Sequence, residues 1–310
     1  MAKTAKAAAE NVLPLYMNGL SGRMIRLAPP RGKKREMLLV SGQHTSIERI
    51  FGLAEYLNRY GGVTSPDLPG FGGMDPFYKI GEKPTLDSMA DYLAAFVKLR
   101  YKKNQRFTII AVSYGFSAVT KMLQRYPDIA ERVDLLISLS GVTSNKDLKW
   151  KRHNYFFMYS LAWLLSWRLP AFLTKNIVLR APIIRLLYRV AEKKHPKLKD
   201  AEVSERNVRI DFEVGLWKIN DFRTWTYTCV TLFRLNLSGS HVDLPVHHVS
   251  VDEDHYFNQV SVESHMRRIY KDFKLVKTKL RAHAPTVKAT ANDVAPYVPP
   301  KIRALLRKEP

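Results

Sequence analysis

Short apolar runs alternate along this chain with segments whose apolar residues recur at helical spacing, and this alternation constrains the fold most strongly. The predicted strands are 37–41, 62–66, 107–112, 133–139, 246–251 and 273–278, with two leading antiparallel strands at 13–17 and 23–27. The predicted helices are 46–59, 86–98, 115–126 and 260–271. Because strands that alternate with helices need crossover connections, the pattern predicts an α/β fold with a mainly parallel central sheet and helices on both faces.

The alternation stops between residues 144 and 243. This stretch has no clean strand and its aromatic residues cluster, so it predicts a helical insertion into the sheet domain. We therefore predict a core domain formed by residues 1–143 and 244–310, with a helical cap or lid formed by residues 144–243.

Composition excludes several classes of protein. The 310 residues are 46% hydrophobic, so the chain is long enough to bury a core and is not disordered as a whole. Cys229 is the only cysteine, which excludes an internal disulfide and a multi-cysteine metal site. The histidines show no metal-ligand spacing, and we expect neither a metal nor a cofactor. Neither a membrane-spanning stretch nor a secretory signal is evident, so we expect a cytoplasmic location.

The chain is strongly basic, with 50 Lys and Arg against 28 Asp and Glu and a formal net charge of +22. Such an excess favours contact with polyanions, although a basic bias of the whole proteome would explain it equally well. The basic residues are dispersed and accompany no nucleic-acid motif, so a nucleic-acid partner is not expected.

The sharpest motif lies where the predicted strand 107–112 passes into the helix 115–126. Ser113 stands there, with the small residues Ala111 and Gly115 two positions on either side. A serine hydroxyl becomes a nucleophile when it stands clear of the backbone and a base removes its proton. A tight strand-to-helix turn with small flanking residues meets the first condition, whereas an ordinary helix N-cap serine is the alternative interpretation.

The segment Ala111-Val-Ser-Tyr-Gly115 resembles the nucleophile elbow of the α/β-hydrolase family, written G-x-S-x-G, with alanine in place of the first glycine. The resemblance implies that the backbone N–H of Tyr114 helps to bind the oxyanion of the tetrahedral intermediate. A second segment, Asp67-Leu-Pro-Gly-Phe-Gly72, looks like the D-x-P-G-x-G segment of that family, in which the aspartate is structural.

A third segment, Ser41-Gly-Gln-His44, stands where the family has His-Gly-x, and Ser41 departs from the usual histidine. The resemblance implies that the backbone N–H of Gln43 is the second oxyanion donor. We expect Gly42 and His44, in the same loop, to contact the substrate.

The resemblance also assigns a base and an acid. The family places its histidine after the last strand, and this position implies His283, within the sequence from Arg281 to Pro285. The acid follows the preceding strand, which implies Asp254, with Asp252 and then Asp147 as alternatives. The order serine, aspartate, histidine is that of the α/β-hydrolases.

The cap contains two unusual segments. Residues 155–167 carry no charge, which suits the roof of an apolar pocket, so we expect Phe157 and Trp163 to contact the substrate. Residues 175–190 mix apolar residues with arginines and predict a basic amphipathic segment that is interrupted at Pro182. Either the cap packs on its own core and the arginines are merely solvated, or the cap makes peripheral contact with an anionic membrane.

These expectations together predict a serine hydrolase of the carboxylesterase and lipase type. Ser113 would attack a carbonyl, and a water activated by His283 would then cleave the acyl-enzyme. Ser113 argues against relatives that use aspartate there, such as haloalkane dehalogenases and epoxide hydrolases. The expected substrate is a small-molecule ester with an apolar acyl group, such as a monoacylglycerol or a lysophospholipid. The alternatives are an acyltransferase, a hydrolase of amides, lactones or thioesters with the same triad, and a non-catalytic binding protein.

Overall fold

One mainly parallel sheet organises the computed structural model, which describes residues 10–191, 202–252, 254–280, 283–284, 290–291 and 293–308. Its strands are β1 Val12–Met17, β2 Leu20–Leu27, β3 Glu36–Val40, β4 Gly62–Pro66, β5 Phe107–Val112, β6 Val133–Leu139, β7 Val242–Ser250 and β8 Tyr270–Lys277. Their order is β1-β2-β4-β3-β5-β6-β7-β8. The pairs β1–β2 and β2–β4 are antiparallel, and the other pairs are parallel. The predicted α/β class with two leading antiparallel strands is confirmed.

Some helices cover the two faces of this sheet, and others form the segment between β6 and β7. They are α1 Ile47–Asn58, α2 Leu86–Arg100, α3 Tyr114–Arg125, α4 Pro127–Ala130, α5 Arg152–Leu165, α6 Arg168–Leu173, α7 Ala181–Ala191, α8 Val203–Ile219, α9 Phe222–Phe233, α10 Gln259–Ile269 and α11 Pro300–Arg307. Alternate residues of β3 point to opposite faces. Leu38 packs in the core beneath α2, α3 and α10, whereas Leu39 packs in the core beneath α1 and α11.

The order of the parallel strands creates a crevice at one end of the sheet. The chain leaves β3 towards β4 on one side, while β5 lies on the other side of β3. The connections after β3 and β5 therefore diverge, and ligands of open α/β sheets bind at such a switch point beyond the carboxyl ends of the strands.

The seventh strand begins earlier than the sequence predicts. β7 starts at Val242, inside the predicted cap range, because Val242 pairs with Tyr270 of β8. The register then shifts before Pro245, whose lack of an N–H removes one ladder hydrogen bond and hides the start of the strand from a search for continuous apolar runs.

Helices α5 to α9 lie between β6 and β7, in the segment predicted as a cap. α5 packs on α9 through a small apolar cluster that contains Ala162, Val230 and Phe233. The basic segment does not break at Pro182, because Pro182 is the second residue of α7, where a missing N–H costs nothing. The break lies instead at Leu179 and Arg180, after a π-helical turn at Thr174–Val178.

Candidate active site

Ser113 occupies a sharp turn between β5 and α3. Its backbone has φ 51° and ψ −125°, outside the regions that L-residues ordinarily adopt, and its N–H donates to Leu139 O on β6 at 3.0 Å. All six residues of β5 are buried, whereas Ser113 is half-buried. The left-handed turn therefore lifts this side chain out of the sheet, as the proposed nucleophile requires.

The small residues around Ser113 have a steric reason. A Cβ on Gly115 would lie 2.1 Å from Ser41 O, so any side chain there would displace the loop that follows β3. A Cβ on Gly42 would lie 3.3 Å from Ser113 Cβ, which places the loop directly beside the hydroxyl. This close approach is what the small-x-Ser-x-small spacing permits.

A chain of hydrogen bonds joins three predicted residues that come from separate loops. His283 Nε2 lies 2.8 Å from Ser113 Oγ, and His283 Nδ1 lies 2.8 Å from Asp254 Oδ2. An ionised carboxylate can only accept a hydrogen bond, so His283 Nδ1 carries the proton and donates it to Asp254. The unprotonated Nε2 can then accept from the serine hydroxyl. The structure thus brings Ser113, His283 and Asp254 into the arrangement of a general base and its orienting acid. Arg281, Ala282 and Pro285 of the same predicted segment lie outside the described residues.

The carboxylate of Asp254 is buried and held on several sides. Its Oδ1 accepts from the backbone N–H groups of Tyr256 at 2.8 Å and Phe257 at 3.3 Å. Burial raises its pKa, but His283 and these backbone donors outweigh burial, and the pKa of Asp254 is lowered overall. The acid therefore stays ionised beside the imidazole at neutral pH.

The two alternative acids lie elsewhere. Asp252 is exposed, and its backbone N–H donates to Leu280 O at 3.1 Å. Asp147 is buried, and it accepts from His265 Nδ1 at 2.7 Å and from Ser261 Oγ at 2.8 Å, away from His283. Of the three candidates, only Asp254 contacts the histidine within the described residues.

The two predicted oxyanion donors flank the serine. Tyr114 is the first residue of α3, so its N–H is one of the helix N-terminal donors that have no intrahelical acceptor. Gln43 follows Gly42, and its side chain is held by α9, where Thr228 Oγ1 donates to Gln43 Oε1 at 3.2 Å. Their oxyanion role stays a prediction that this placement favours.

The ring nitrogens of His44 contact other residues and not the hydroxyl of Ser113. It has φ 50°, its ring lies 4.0 Å from that of Trp217, and its Nδ1 is 3.2 Å from Asn220 Nδ2. Its Nε2 lies 3.7 Å from the buried carboxylate of Glu213, which also pairs with Arg49. His44 therefore joins the loop that follows β3 to α8. Sequence reasoning, which saw only a substrate contact, missed Glu213.

Asp67 has the structural environment that the resemblance implies. Its Oδ1 accepts from the N–H of Ile47 at 3.0 Å, and its Oδ2 accepts from the Arg23 guanidinium at 3.0 Å. Gly72 has φ 65°, and a Cβ there would lie 2.0 Å from Asp67 Oδ1. The glycine is required both by its backbone conformation and by the aspartate packed against it.

A second set of polar residues supports the acid and was missed by sequence reasoning. Gln259 Nε2 donates to Asp254 Oδ2 at 3.4 Å, so its Oε1, 3.3 Å from His248 Nε2, accepts from that ring. His248 Nδ1 then accepts from Ser138 Oγ at 2.9 Å. Burial lowers the pKa of His248 to about 4, so this ring is neutral. Nothing in the sequence spacing links this ring of β7 to Asp254.

Phe157 and Trp163, predicted to contact the substrate, lie on the exposed side of α5, where they are 65% and 44% exposed. The opposite side of α5 packs on α9, and α9 in turn contacts Gln43. Their predicted contact with substrate is not favoured by this placement, because α9 separates them from the loop beside Ser113. No cluster of three or more metal-binding side chains lies within the described residues.

No family model and no curated protein matches this sequence, but many solved structures match its fold. An enol-lactonase from Burkholderia xenovorans is 11% identical with a TM-score of 0.65, and the match covers 95% of this chain and 99% of that one. A bacterial membrane phospholipase A is 13% identical with a TM-score of 0.66, covering 99% and 92%. An esterase from Thermogutta terrifontis is 16% identical with a TM-score of 0.58, covering 96% and 98%. The sheet order and these likenesses together show that the chain has the α/β-hydrolase fold.

Proposed function

We propose that this protein is a serine hydrolase that cleaves carboxylic esters through an acyl-enzyme. The observation that supports the proposal most directly is the hydrogen-bond chain from Asp254 through His283 to Ser113, with 2.8 Å at each His283 contact. The similar structures named above are a lactonase, a phospholipase and an esterase, and each acts on ester bonds.

In this proposal Ser113 Oγ attacks the ester carbonyl while His283 Nε2 takes its proton. Asp254 stabilises the imidazolium that forms, and the N–H groups of Gln43 and Tyr114 bind the developing oxyanion. The protonated ring then donates its proton to the leaving alcohol, and a water that transfers a proton to His283 releases the acid. A structural neighbour is an epoxide hydrolase, but a neutral serine hydroxyl at position 113 favours acyl transfer over epoxide opening.

The apolar cap favours an ester with an apolar acyl chain, of the monoacylglycerol or lysophospholipid class. A p-nitrophenyl ester series of increasing acyl length tests this preference, and we expect kcat/KM to rise with acyl length as more apolar surface is buried on binding. A flat or falling series would favour a short or polar ester instead.

Fluorophosphonate labelling tests the chemistry without knowledge of the substrate. We expect the native protein to be labelled at Ser113 and the Ser113→Ala variant to remain unlabelled with the same melting temperature. A folded native protein that resists labelling would contradict the proposal and favour a non-catalytic binding protein.

A further inference from the structure

The outer side of the cap exposes apolar side chains that an isolated domain would bury. Fifteen of the twenty-one large apolar side chains that are exposed in the described residues lie between residues 152 and 191. They are Phe156, Phe157, Leu161, Trp163, Leu164, Trp167, Leu169, Phe172, Leu173, Ile177, Val178, Ile183, Leu186, Leu187 and Val190, and we call them the outer cap face. Such a concentration marks an interaction surface, since monomeric soluble proteins rarely expose large apolar patches.

Helix α5 is apolar on two opposite sides. One side carries Ala162, which is buried, together with Tyr155 and Met158, and it packs on α9. At 100° per residue, Phe157 and Leu164 project from the opposite side, where they are 65% and 47% exposed. Packing inside the cap therefore accounts for one apolar side of the helix and leaves the other side without a protein layer in the described residues.

Helix α7 has the inverse of the usual amphipathic arrangement. Ile183, Leu186, Leu187 and Val190 follow the i, i+3, i+4, i+7 spacing of a single stripe, and that stripe faces outward. Ile184, on another side of the helix, is buried. An amphipathic helix normally turns its apolar stripe to the core, but none of the described residues covers this stripe.

The segment that carries the outer cap face bears charges of one sign only. Residues 148–191 contain no Asp or Glu but eight Lys and Arg, and seven of these are exposed: Lys149, Lys151, Arg152, Arg168, Arg180, Arg185 and Arg189. Arg185 pairs with the exposed Asp211 of α8 at 3.0 Å, and the half-buried Lys175 donates to carbonyls at the end of α8. Trp163 and Trp167, whose ring centroids are 4.8 Å apart, add the residue type that concentrates at membrane interfaces.

We propose that the outer cap face is a docking surface for an anionic lipid bilayer. The apolar stripes enter the headgroup and outer acyl region, while the exposed arginines contact lipid phosphates. A second copy of this chain fits less well, because a two-fold interface would set the same basic residues against each other.

The geometry favours a helix pair that lies along the bilayer over one that crosses it. Among the described residues no single helix has the length and apolar character of a membrane span. The two helical segments Arg152–Leu165 and Arg168–Val178 are together long and apolar enough to span a membrane, but they are bent by 89° relative to each other. Two helices at nearly a right angle cannot both run along the bilayer normal, but both can lie in the plane of the membrane surface, as interfacial helices do.

Docking on this face would bring the candidate active site close to the lipid. α9 contacts α5 on one side and the Gln43 loop on the other, so one helix layer separates the outer cap helix from that loop. Helix axes pack about 8–10 Å apart, which sets the scale of this separation. The inference that lipid supplies the ester rests on the proposed function, whereas the docking itself does not.

Vesicle co-sedimentation tests the proposal with a pair of variants matched for exposure. Leu186 and Val190 are 61% and 79% exposed on the outer cap face, and Leu99 and Val260 are 62% and 80% exposed elsewhere. We expect the native protein to bind phosphatidylcholine vesicles that contain phosphatidylglycerol, and to bind pure phosphatidylcholine more weakly. L186S/V190S should weaken this binding at least about tenfold, because two buried apolar contacts are lost, and L99S/V260S should bind as the native protein does.

Further variants test separately the role of the basic side chains, the depth of insertion into the bilayer and the independence of binding from catalysis. R180Q/R189Q should weaken binding to anionic vesicles and leave the residual binding to neutral vesicles unchanged. Lipids brominated on their acyl chains should quench the native tryptophan fluorescence, and W163F/W167F should remove most of this quenching. S113A should bind vesicles like the native protein, so docking is measured whether or not the protein is a hydrolase.

Three results would overturn the proposal. The first is binding that does not depend on lipid charge. The second is an equal loss of binding in L186S/V190S and L99S/V260S. The third is a protein that ignores vesicles but forms a dimer that L186S/V190S dissociates, which would assign the face to a second copy.

Discussion

The sheet domain and the cap use the same helical and strand periods but treat their apolar residues in opposite ways. Leu39 of β3 is fully buried between the sheet and the helices α1 and α11, whereas Leu186 of α7 is 61% exposed although it belongs to a regular apolar stripe. The sheet has helices on both faces, so every apolar stripe that meets it is covered. The described part of the cap covers only its inner side. An apolar stripe thus predicts that a face is buried against something, and not that the partner is the same chain.

The two regions also divide the proposed chemistry. The hydrogen-bonded residues Ser113, Asp254 and His283 all follow strands of the sheet. The cap reaches the site mainly through side chains such as Thr228 and Glu213, which hold the loop after β3. We therefore expect substitutions in the sheet loops to act on turnover, and substitutions on the outer cap to act on where the protein binds.

The largest effect should separate the two regions completely. Ser113→Ala should reduce kcat for a soluble ester by about 10,000-fold or more, because the nucleophile is lost. Leu186→Ser in the cap should leave that kcat unchanged. Steady-state hydrolysis of a short p-nitrophenyl ester measures both, and comparable losses in the two variants would contradict the division.

Asp254→Asn should reduce kcat by about 1,000- to 10,000-fold, because an amide cannot hold the required tautomer of His283. The pKa of Asp254 is lowered in the folded state, so its carboxylate stabilises the fold above the unfolded pKa of about 4. That contribution is lost as the pH falls through the lowered pKa. Unfolding curves from neutral to acid pH should therefore decline less steeply in Asp254→Asn, and an unchanged slope would exclude this linkage.

The contrast in burial predicts a contrast in stability. Leu39→Ala should lower the free energy of unfolding by about 2–5 kcal/mol, because it leaves a cavity in a fully packed core. Leu186→Ala should change it by less than about 0.5 kcal/mol without lipid. Urea unfolding without vesicles compares the two, and a large loss in Leu186→Ala would show that its stripe is covered within the chain.

Glu213→Gln tests the connection between the regions. The substitution removes the charge that pairs with Arg49 and lies beside His44, so we expect a loss of about 1–3 kcal/mol in unfolding free energy. Because His44 belongs to the loop of the proposed oxyanion donors, kcat should also fall while KM changes little. A loss of stability without any change in kcat would show that Glu213 only holds the cap in place.

The smallest effect is expected at the exposed ion pair of Arg185 and Asp211. Arg185→Gln should lower the unfolding free energy by no more than about 0.5 kcal/mol, because solvent screens the pair. Thermal unfolding at low and high salt measures this change. A larger, salt-sensitive loss would show that the basic rim stabilises the cap.

The sheet was predictable because β3, β5 and β6 are short, mainly apolar runs between turn residues. The bounds of β5 and β6 agree with the sequence prediction, since both are buried on two faces and need no partner to reveal their period. β7 was predicted too short because Pro245 interrupts its apolar run. The sequence could not predict which side of each cap helix is buried. α5 is apolar on both sides, so the spacing of its apolar residues does not single out one buried face.

The site was predictable where chemistry demands a residue type at a fixed place along the chain. Ser113, Asp254 and His283 follow strands in a recognisable order, and the structure brings them together. Gln259 and Glu213 were not predictable, because an amide or carboxylate on a helix gives no sign of which loop it will meet. Their positions depend on how α10 and α8 pack, which only the tertiary structure specifies.

The distance along the chain between hydroxyl and imidazole has a consequence for biosynthesis. The ring that would accept the proton of Ser113 is encoded 170 residues later. At synthesis rates of about 5–20 residues per second, a nascent polypeptide carries the serine for roughly ten to thirty seconds before that ring is added. During this interval the growing chain lacks the base of the proposed mechanism, so we expect it not to hydrolyse esters until His283 has been added and lies against Ser113.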